Sequence, residues 1–292
     1  MLRTLSIFSL CLALFIPCGA LASEPLALLE TAAQADDLLQ PGLENYRVRI
    51  ETAKVGEMIE RMTASMPKDV PRPPAPVISK YWQRGAPHSL IVAEGEASPP
   101  YVAQMVERFS STLAVELNAL LLPADKIIER RELAASASLK TTTVALGNNT
   151  IQRVRIEFPA PTDLNQAFYK TGIRLPQKQI VALTFDIDGN SGSINELTIL
   201  TADRLLLTAE IRYKQVASGY LPERIQVTSP DGHIDDLLEV TFAEIDGFEL
   251  PKRIVRFIRR PDLKDELDVT FSNYLVNQTL PEQVRQQLTL GN

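Results

Sequence analysis

Residues 181–190, VALTFDIDGN, decide the fold class, because their apolar side chains recur at every second position. The alternating members share one face of an extended chain: Val181, Leu183, Phe185 and Ile187. Asp188-Gly189-Asn190 then supplies the residue types of a tight turn. Alternation that ends in such a turn is typical of a strand in an antiparallel sheet with one buried face.

The same pattern continues on both sides of this stretch, from Leu139 almost to the C-terminus. Short turns, such as Pro230-Asp231-Gly232 and Asp246-Gly247, interrupt it. Consecutive strands joined by short turns form an antiparallel meander. The pattern predicts strands at 139–146, 151–158, 179–188, 194–201, 204–215, 221–229, 234–245, 252–260 and 266–276.

The N-terminal part of the chain mixes strands and helices. Alternation predicts strands at 45–54, 77–84 and 88–95. Helical spacing of apolar residues predicts helices at 25–39, 55–66, 99–122, 125–135 and, near the C-terminus, 281–288. Since a sheet with one apolar face needs a cover, we predict an α+β fold that is mainly antiparallel β. The expected object is a curled, open half-barrel of about 11–12 strands, with helices at 55–66 and 99–135 covering its concave face.

The first 22 residues have the features of a secretory signal peptide. Arg3 gives a basic start, residues 5–16 are uncharged, and Ala20-Leu21-Ala22 is a small-x-small cleavage motif. We expect cleavage after Ala22, export to the periplasm and a single domain over 23–292. The alternatives are an uncleaved anchor and lipoprotein processing at Cys18, which Pro17 disfavours.

Composition excludes several classes of protein. The 292 residues include 30 Lys and Arg against 36 Asp and Glu, a net charge of −6, which argues against a nucleic-acid partner. Cys11 and Cys18 both lie in the predicted signal peptide, so core burial rather than disulfides must stabilise the mature domain. No later stretch reaches about 18 uncharged apolar residues, so we predict no transmembrane span in the mature chain.

Motifs in the C-terminal third suggest a family. Two strand entries share the pattern x-Leu-Pro-x-x-Ile, at 220–225 and 249–254, and Asp231-Gly232 is a turn. The closing strand reads LDVTF at 267–271, with Asn277 after it. These motifs and the order of elements resemble the outer-membrane lipoprotein carrier superfamily, the LolA/LolB-like proteins. The resemblance implies a half-barrel with a hydrophobic cavity that accepts acyl chains, and it assigns no individual binding residue.

The methionines are candidate ligand contacts. All of those in the mature chain lie on the two predicted covering helices: Met58, Met62, Met66 and Met105. Methionine is flexible and polarisable, so it suits surfaces that accept variable apolar ligands, although it also fills gaps in ordinary cores. With Phe109 on the same cover, and Phe185 and Phe271 on the sheet, they make up the predicted apolar binding surface.

A basic stretch at 252–260 adds one charged candidate. On a strand Arg256 shares a face with Ile254 and Ile258, so its guanidinium could point inward at a lipid headgroup or a partner's carboxylate. The alternative is a solvated outer face that discourages edge-to-edge pairing, as charges on edge strands commonly do.

Little in the sequence points to catalysis. The segment 186–192 superficially resembles a calcium loop, but Ser191 and Leu197 stand where an EF-hand needs Gly and Glu, so a hairpin turn is the better interpretation. Asp235 and Asp236 point to opposite faces of a strand and cannot form an acid–base pair. No Gly-x-Ser-x-Gly elbow accompanies His88 or His233. We therefore predict a non-enzymatic protein with no catalytic residue, metal site or cofactor.

These features favour a periplasmic carrier or chaperone-like protein that binds a lipid acyl chain or a lipidated protein in a hydrophobic cavity. The alternative is an envelope protein-interaction or sensor module whose cavity is filled by its own helices and which binds no lipid.

Overall fold

The computed structural model describes residues 23–35, 40–64, 76–86, 89–94, 120–147, 149–170, 174–217 and 219–290. The predicted signal peptide and most of the predicted helix at 99–122 lie outside these residues. Every strand that alternation predicted is present, with ends that differ by a few residues. The strands are β1 Asn45–Glu51, β2 Val77–Gln83, β3 Leu90–Glu94, β4 Ser138–Leu146, β5 Asn149–Thr162, β6 Ile180–Asp188, β7 Ile194–Thr201, β8 Leu206–Val216, β9 Gly219–Thr228, β10 Asp235–Ile245, β11 Phe248–Arg260 and β12 Leu263–Val276.

Helices occupy the positions between and beside these strands. The predicted helix at 55–66 is α2, which begins earlier because the Thr52 side chain caps it by accepting from the Lys54 N–H at 3.4 Å. The predicted helix at 125–135 begins as a 3₁₀ turn at Ala124–Lys126. The α-helices are α1 Ser23–Ala35, α2 Ala53–Thr63, α3 Ile127–Ala135 and α4 Glu282–Leu290.

All the strands belong to one 12-stranded antiparallel sheet in the order β3-β2-β1-β12-β11-β10-β9-β8-β7-β6-β5-β4. The meander from β4 to β12 is the one that the turns predicted. Its last strand pairs with β1, which brings the N-terminal hairpin into the same sheet. The sheet is curled and stays open, since β3 and β4 are edges rather than partners. The predicted fold class is confirmed.

A single asparagine fastens β12 to the start of β1. The Asn277 Oδ1 accepts from the N–H groups of Glu44, at 2.7 Å, and Asn45, at 3.2 Å. Its Nδ2 donates to the carbonyl of Gly42 at 2.8 Å. Asn277 has φ of 53°, a left-handed conformation that asparagine tolerates better than most residues. The amide therefore joins two segments more than 230 residues apart in sequence.

One face of the sheet, here called the inward face, carries the main hydrophobic core. Within the described residues, α1 covers it through Leu29 and Ala32, and the segment 163–170 does so through Phe168 and Tyr169. Val55 of α2 also packs against this core, in agreement with the predicted cover. Neither α1 nor 163–170 was among the predicted covers, because their apolar residues do not reveal which side of the sheet they reach.

The β6–β7 turn is a hairpin turn, as predicted. The Asp188 Oδ1 accepts from the N–H groups of Asn190, at 2.9 Å, and Ser191, at 2.8 Å, and these hydrogen bonds close the turn. These hydrogen bonds, that of Ser191 first, hold the pKa of Asp188 below its usual value. Gly189 lies against β5: its N–H donates to the Thr150 carbonyl at 2.7 Å, and a Cβ on it would lie 2.8 Å from the same oxygen.

Replacing Gly189 with alanine is expected to lower the free energy of unfolding by about 1–3 kcal/mol, because the new methyl group displaces a backbone carbonyl. The control is Gly56→Ala on the exposed face of α2, where a Cβ meets nothing within 4 Å. That change should raise stability by about 1 kcal/mol, since alanine is the better helix former. Urea denaturation measures both, and a neutral Gly189→Ala would show that the hairpin shifts freely.

Candidate binding site on the inward face

The inward face is a continuous apolar surface across the sheet. Neighbouring strands place their inward side chains in register: Phe185 lies beside Leu197 and Val154, and Ala209 beside Val227. Because side chains alternate between faces, each strand contributes every second residue to this surface. Its buried members include Ile156, Leu183, Phe185, Ile199, Leu207, Ile211, Ile225, Leu238, Ile254, Val269 and Phe271.

The predicted apolar ligand contacts lie at scattered positions. Phe185 on β6 and Phe271 on β12 are both buried on the inward face, but five strands separate them. Met58 and Met62 lie in α2, whose methionine side chains are not among the described ones. The other three predicted contacts lie outside the described residues: Met66, Met105 and Phe109. Their role as ligand contacts stays a prediction.

One end of the inward face is aromatic. The rings of Tyr46 and Trp82 stack with centroids 5.3 Å apart, and Tyr274 meets Tyr46 edge-on at 5.6 Å. Trp82 packs with Leu43 and Leu250, near the turn between β10 and β11. These rings close that end of the face with large, rigid apolar groups.

The opposite end contains Arg256. Its side chain is on the inward face of β11, between Leu238 of β10 and Leu267 of β12, and Arg256 is 7% exposed. The side chain of Arg256 therefore lies on the inward face, one of the two positions that the sequence left open. The alternative, a solvated face, holds for Arg253 and Arg259, whose side chains are 52% and 66% exposed.

The buried Arg256 guanidinium lacks several of the hydrogen-bond partners that its charge requires. Within the described chain, its Nε and Nη2 are buried and have no hydrogen-bond partner. The nearest carboxylate contact is an ion pair from Nη2 to the Asp265 Oδ2 at 3.7 Å. Burial lowers the pKa of Arg256, and the positive charge of Arg174 lowers it further.

Asp236 is a second buried charge that the sequence prediction did not select. Its Oδ1 accepts from the backbone N–H of Arg259 at 3.0 Å, and its Oδ2 accepts from the Arg260 Nε at 2.8 Å. Arg260 also donates to the carbonyl of Arg174 at 2.8 Å. The prediction that Asp235 and Asp236 point apart is correct, since Asp235 instead pairs with the exposed Arg259. Asp236 is two residues from Leu238, so alternation alone could have predicted that both side chains lie on the same face of the strand.

A small pocket with about 20 Å³ of free space lies at this end. Its lining combines apolar strand residues with three charged ones: Ile225, Val227, Leu237, Leu238 and Ile258, and Arg174, Asp236 and Arg256. Lys54, near the start of α2, contacts the Asp265 Oδ1 at 3.3 Å, so α2 begins beside the same cluster. The inward face thus runs from an aromatic end to a cationic end, about 20 Å apart along β11.

The described residues contain no group of three or more His, Cys, Asp or Glu side chains placed to hold a metal ion. None of the helices in this part of the chain is long and apolar enough to cross a bilayer.

Solved structures similar to this chain are remote in sequence. A DUF1329 family protein from Desulfovibrio piger is 8% identical, with a TM-score of 0.35 over 89% of this chain and 95% of its own. A LolA superfamily protein from Nitrosomonas europaea is 9% identical, with a TM-score of 0.31 over 88% and 95%. An outer membrane lipoprotein-sorting protein domain from Vibrio parahaemolyticus is 8% identical, with a TM-score of 0.36 over 91% and 99%.

One of these similar structures is described as a LolA superfamily protein, the group that the C-terminal motifs resemble. At these identities and TM-scores the likeness assigns no ligand. No family model matches the sequence, and no curated protein does.

Proposed function

We propose that the protein is a periplasmic carrier or chaperone-like protein that binds an acyl chain, of a lipid or a lipidated protein, against its inward face. The observation that carries this proposal is the architecture of that face. A single layer of sheet presents apolar side chains, and separate chain segments rather than a second sheet cover it. Such segments can shift to admit a guest at less cost than separating two hydrogen-bonded sheets, because fewer contacts must break together.

The features of the signal peptide support export, and export places the protein where a carrier would meet lipids of the envelope. The apolar side chains around the small pocket, among them Val227 and Leu238, support the same function, since they continue the apolar surface on which an acyl chain would lie. No catalytic role is part of the proposal.

The test combines native mass spectrometry with probe binding. Protein purified from its host should carry lipid mass, and the delipidated protein should bind the uncharged fluorophore N-phenyl-1-naphthylamine. Val227→Phe should weaken this binding at least about tenfold, because the larger ring takes up space beside Leu238 on the inward face, where the guest would lie. Gln226→Phe, on the other face of the same strand, is the control and should bind normally.

Protein that purifies without lipid and does not bind the fluorophore would refute the carrier function. If Val227→Phe does not fold, Leu238→Phe on the neighbouring strand fills the same pocket and replaces it.

A second candidate, an interaction module whose cavity is filled by its own chain, is favoured by one observation. Over β5 to β8 the inward face is filled by the chain itself, with Leu164, Phe168 and Tyr169 fully buried. Under this alternative the wild type would purify without lipid and with a co-purifying protein, and charge reversal at Arg259 would release that partner.

A further inference from the structure

The Arg256 cluster has more positive charge than its own carboxylates balance. Among the described residues, four cationic side chains meet there, Lys54, Arg174, Arg256 and Arg260, against two carboxylates, Asp236 and Asp265. The carboxylates are already shared: Arg260 occupies the Asp236 Oδ2, and Lys54 contacts the Asp265 Oδ1. The remaining cations, Arg256 and Arg174, have an incomplete set of partners.

Of these two cations, Arg256 is the more deeply buried, so its missing hydrogen-bond partners are the more unfavourable. A guanidinium that loses its water needs hydrogen-bond acceptors in return, because buried donors without acceptors are strongly unfavourable. In the described structure its Nε and Nη2 have none, and Asp265 is at ion-pair rather than hydrogen-bond distance. Both donor atoms belong to a side chain that lines the pocket. The site therefore has the donors for an anion and lacks the anion's oxygens.

Arg174 approaches the same pocket from a different segment. Its guanidinium makes no hydrogen bond or ion pair with the described residues, although its side chain is only partly exposed. Its φ of 52° lies in the left-handed region, which is unfavourable for a residue with a Cβ. The backbone at Arg174 is fixed by the hydrogen bond from Arg260 to its carbonyl. Two guanidiniums from separate segments thus converge on one small space.

The size of the pocket limits what the two guanidiniums can hold. Since a cavity needs about 10–15 Å³ to hold one water molecule, the 20 Å³ of free space here admits only one or two oxygen atoms of a headgroup. The apolar lining, Ile225, Val227 and Leu238, connects it to the rest of the inward face.

We infer that Arg256 and Arg174 bind the anionic group, carboxylate or phosphate, of an amphiphile whose apolar chain lies on the inward face. This inference rests on the proposed function and narrows its ligand to anionic amphiphiles. Guanidinium groups suit carboxylate and phosphate because they donate paired hydrogen bonds to both. Asp236 is held in place by Arg260 and by the backbone N–H of Arg259. Its negative charge repels a bound anion, so the headgroup should lie on the Arg256 side of the pocket and not against Asp236.

The experiment measures displacement of N-phenyl-1-naphthylamine from the full mature chain by four compounds: dodecanoate, dodecyl phosphate, uncharged monododecanoyl glycerol and inorganic phosphate. In the wild type the two anionic amphiphiles should displace the fluorophore at concentrations at least about tenfold lower than the uncharged one, because each charge-assisted pairing adds affinity. Arg256→Met should remove that difference between the anionic and the uncharged amphiphiles.

Arg253→Met is the matched control, since it makes the same change on the same strand with the side chain on the outer face. It should keep the preference for anionic amphiphiles. Arg256→Met should melt no lower than the wild type, because it removes a buried and poorly paired charge. If it fails to fold, Arg174→Met is measured in its place and should show the same loss.

The outcomes separate the two proposals. If all three amphiphiles displace the fluorophore equally in the wild type, the carrier function stands and the anion site is refuted. If the fluorophore does not bind at all and no amphiphile binds by calorimetry, the carrier function itself fails. If inorganic phosphate binds as tightly as dodecyl phosphate, in a manner that requires Arg256, the assignment of the anion to an amphiphile is wrong.

Discussion

Arg130→Ala is expected to lower the free energy of unfolding by about 3 kcal/mol, with no ligand present. Arg130 is 1% exposed and is one of the largest fully buried side chains of the described protein. Its Nη1 donates to the carbonyls of Ala167, at 2.8 Å, and Pro123, at 3.2 Å. The substitution leaves both carbonyls without this donor and opens a cavity between α3 and the segment 163–170. Urea denaturation, followed by circular dichroism, measures the loss.

The neighbouring Arg131 provides a control on the same helix. It makes a bidentate ion pair with Glu30 of α1, but its side chain is 55% exposed. An exposed pair contributes little, so Arg131→Ala should cost less than about 1 kcal/mol. Equal losses for the two substitutions would mean that Arg130 does not hold 163–170 onto the helix.

Alternation predicted the strands well, and prolines explain where their predicted ends were wrong. The predicted strand 151–158 stops before Pro159 and Pro161, yet β5 continues to Thr162. The ladder between β5 and β6 is interrupted from Glu157 to Thr162, so the prolines occupy a gap where no N–H donor is needed. Pro251 in β11 lies at a similar register shift, which is why that strand begins at Phe248 rather than at 252.

The local alternation of residues could not predict that β1 pairs with β12. Both strands were predicted, but their contact joins residues at least 219 positions apart, and no turn connects them directly. Asn277 was the visible signal, as the asparagine after the closing strand. Its role in joining Gly42, Glu44 and Asn45 depends on a geometry that only the folded sheet supplies.

The candidate site was predictable in part. Arg256 alternates in step with Ile254 and Ile258, which made an inward side chain one of the two positions left open by the sequence, and the structure has that one. The convergence of Arg174 and Lys54 on it was not predictable, since those residues come from a loop and a helix far away in sequence. For the methionine contacts, sequence pattern remains the basis of the prediction.

Phe185→Ala is expected to cost about 3–5 kcal/mol in the absence of any ligand, the largest loss that we predict for a single residue. Phe185 is fully buried in the middle of the inward face, and its ring centroid lies 6.2 Å from that of Phe168. Its neighbours in register are Val154 and Leu197, also buried. A benzyl group removed from such a position leaves a cavity that close-packed neighbours fill poorly.

The same substitution decides whether Phe185 contacts a guest or belongs to the permanent core. As a permanent core residue it should lower the urea midpoint strongly and leave fluorophore binding per folded molecule unchanged. Thr184→Ala, on the outer face of the same strand, is the control and should cost less than about 1 kcal/mol. A small loss of stability with weakened fluorophore binding would instead place Phe185 in the ligand cavity. In that case the segment 163–170, which covers Phe185, would have to move when the ligand binds.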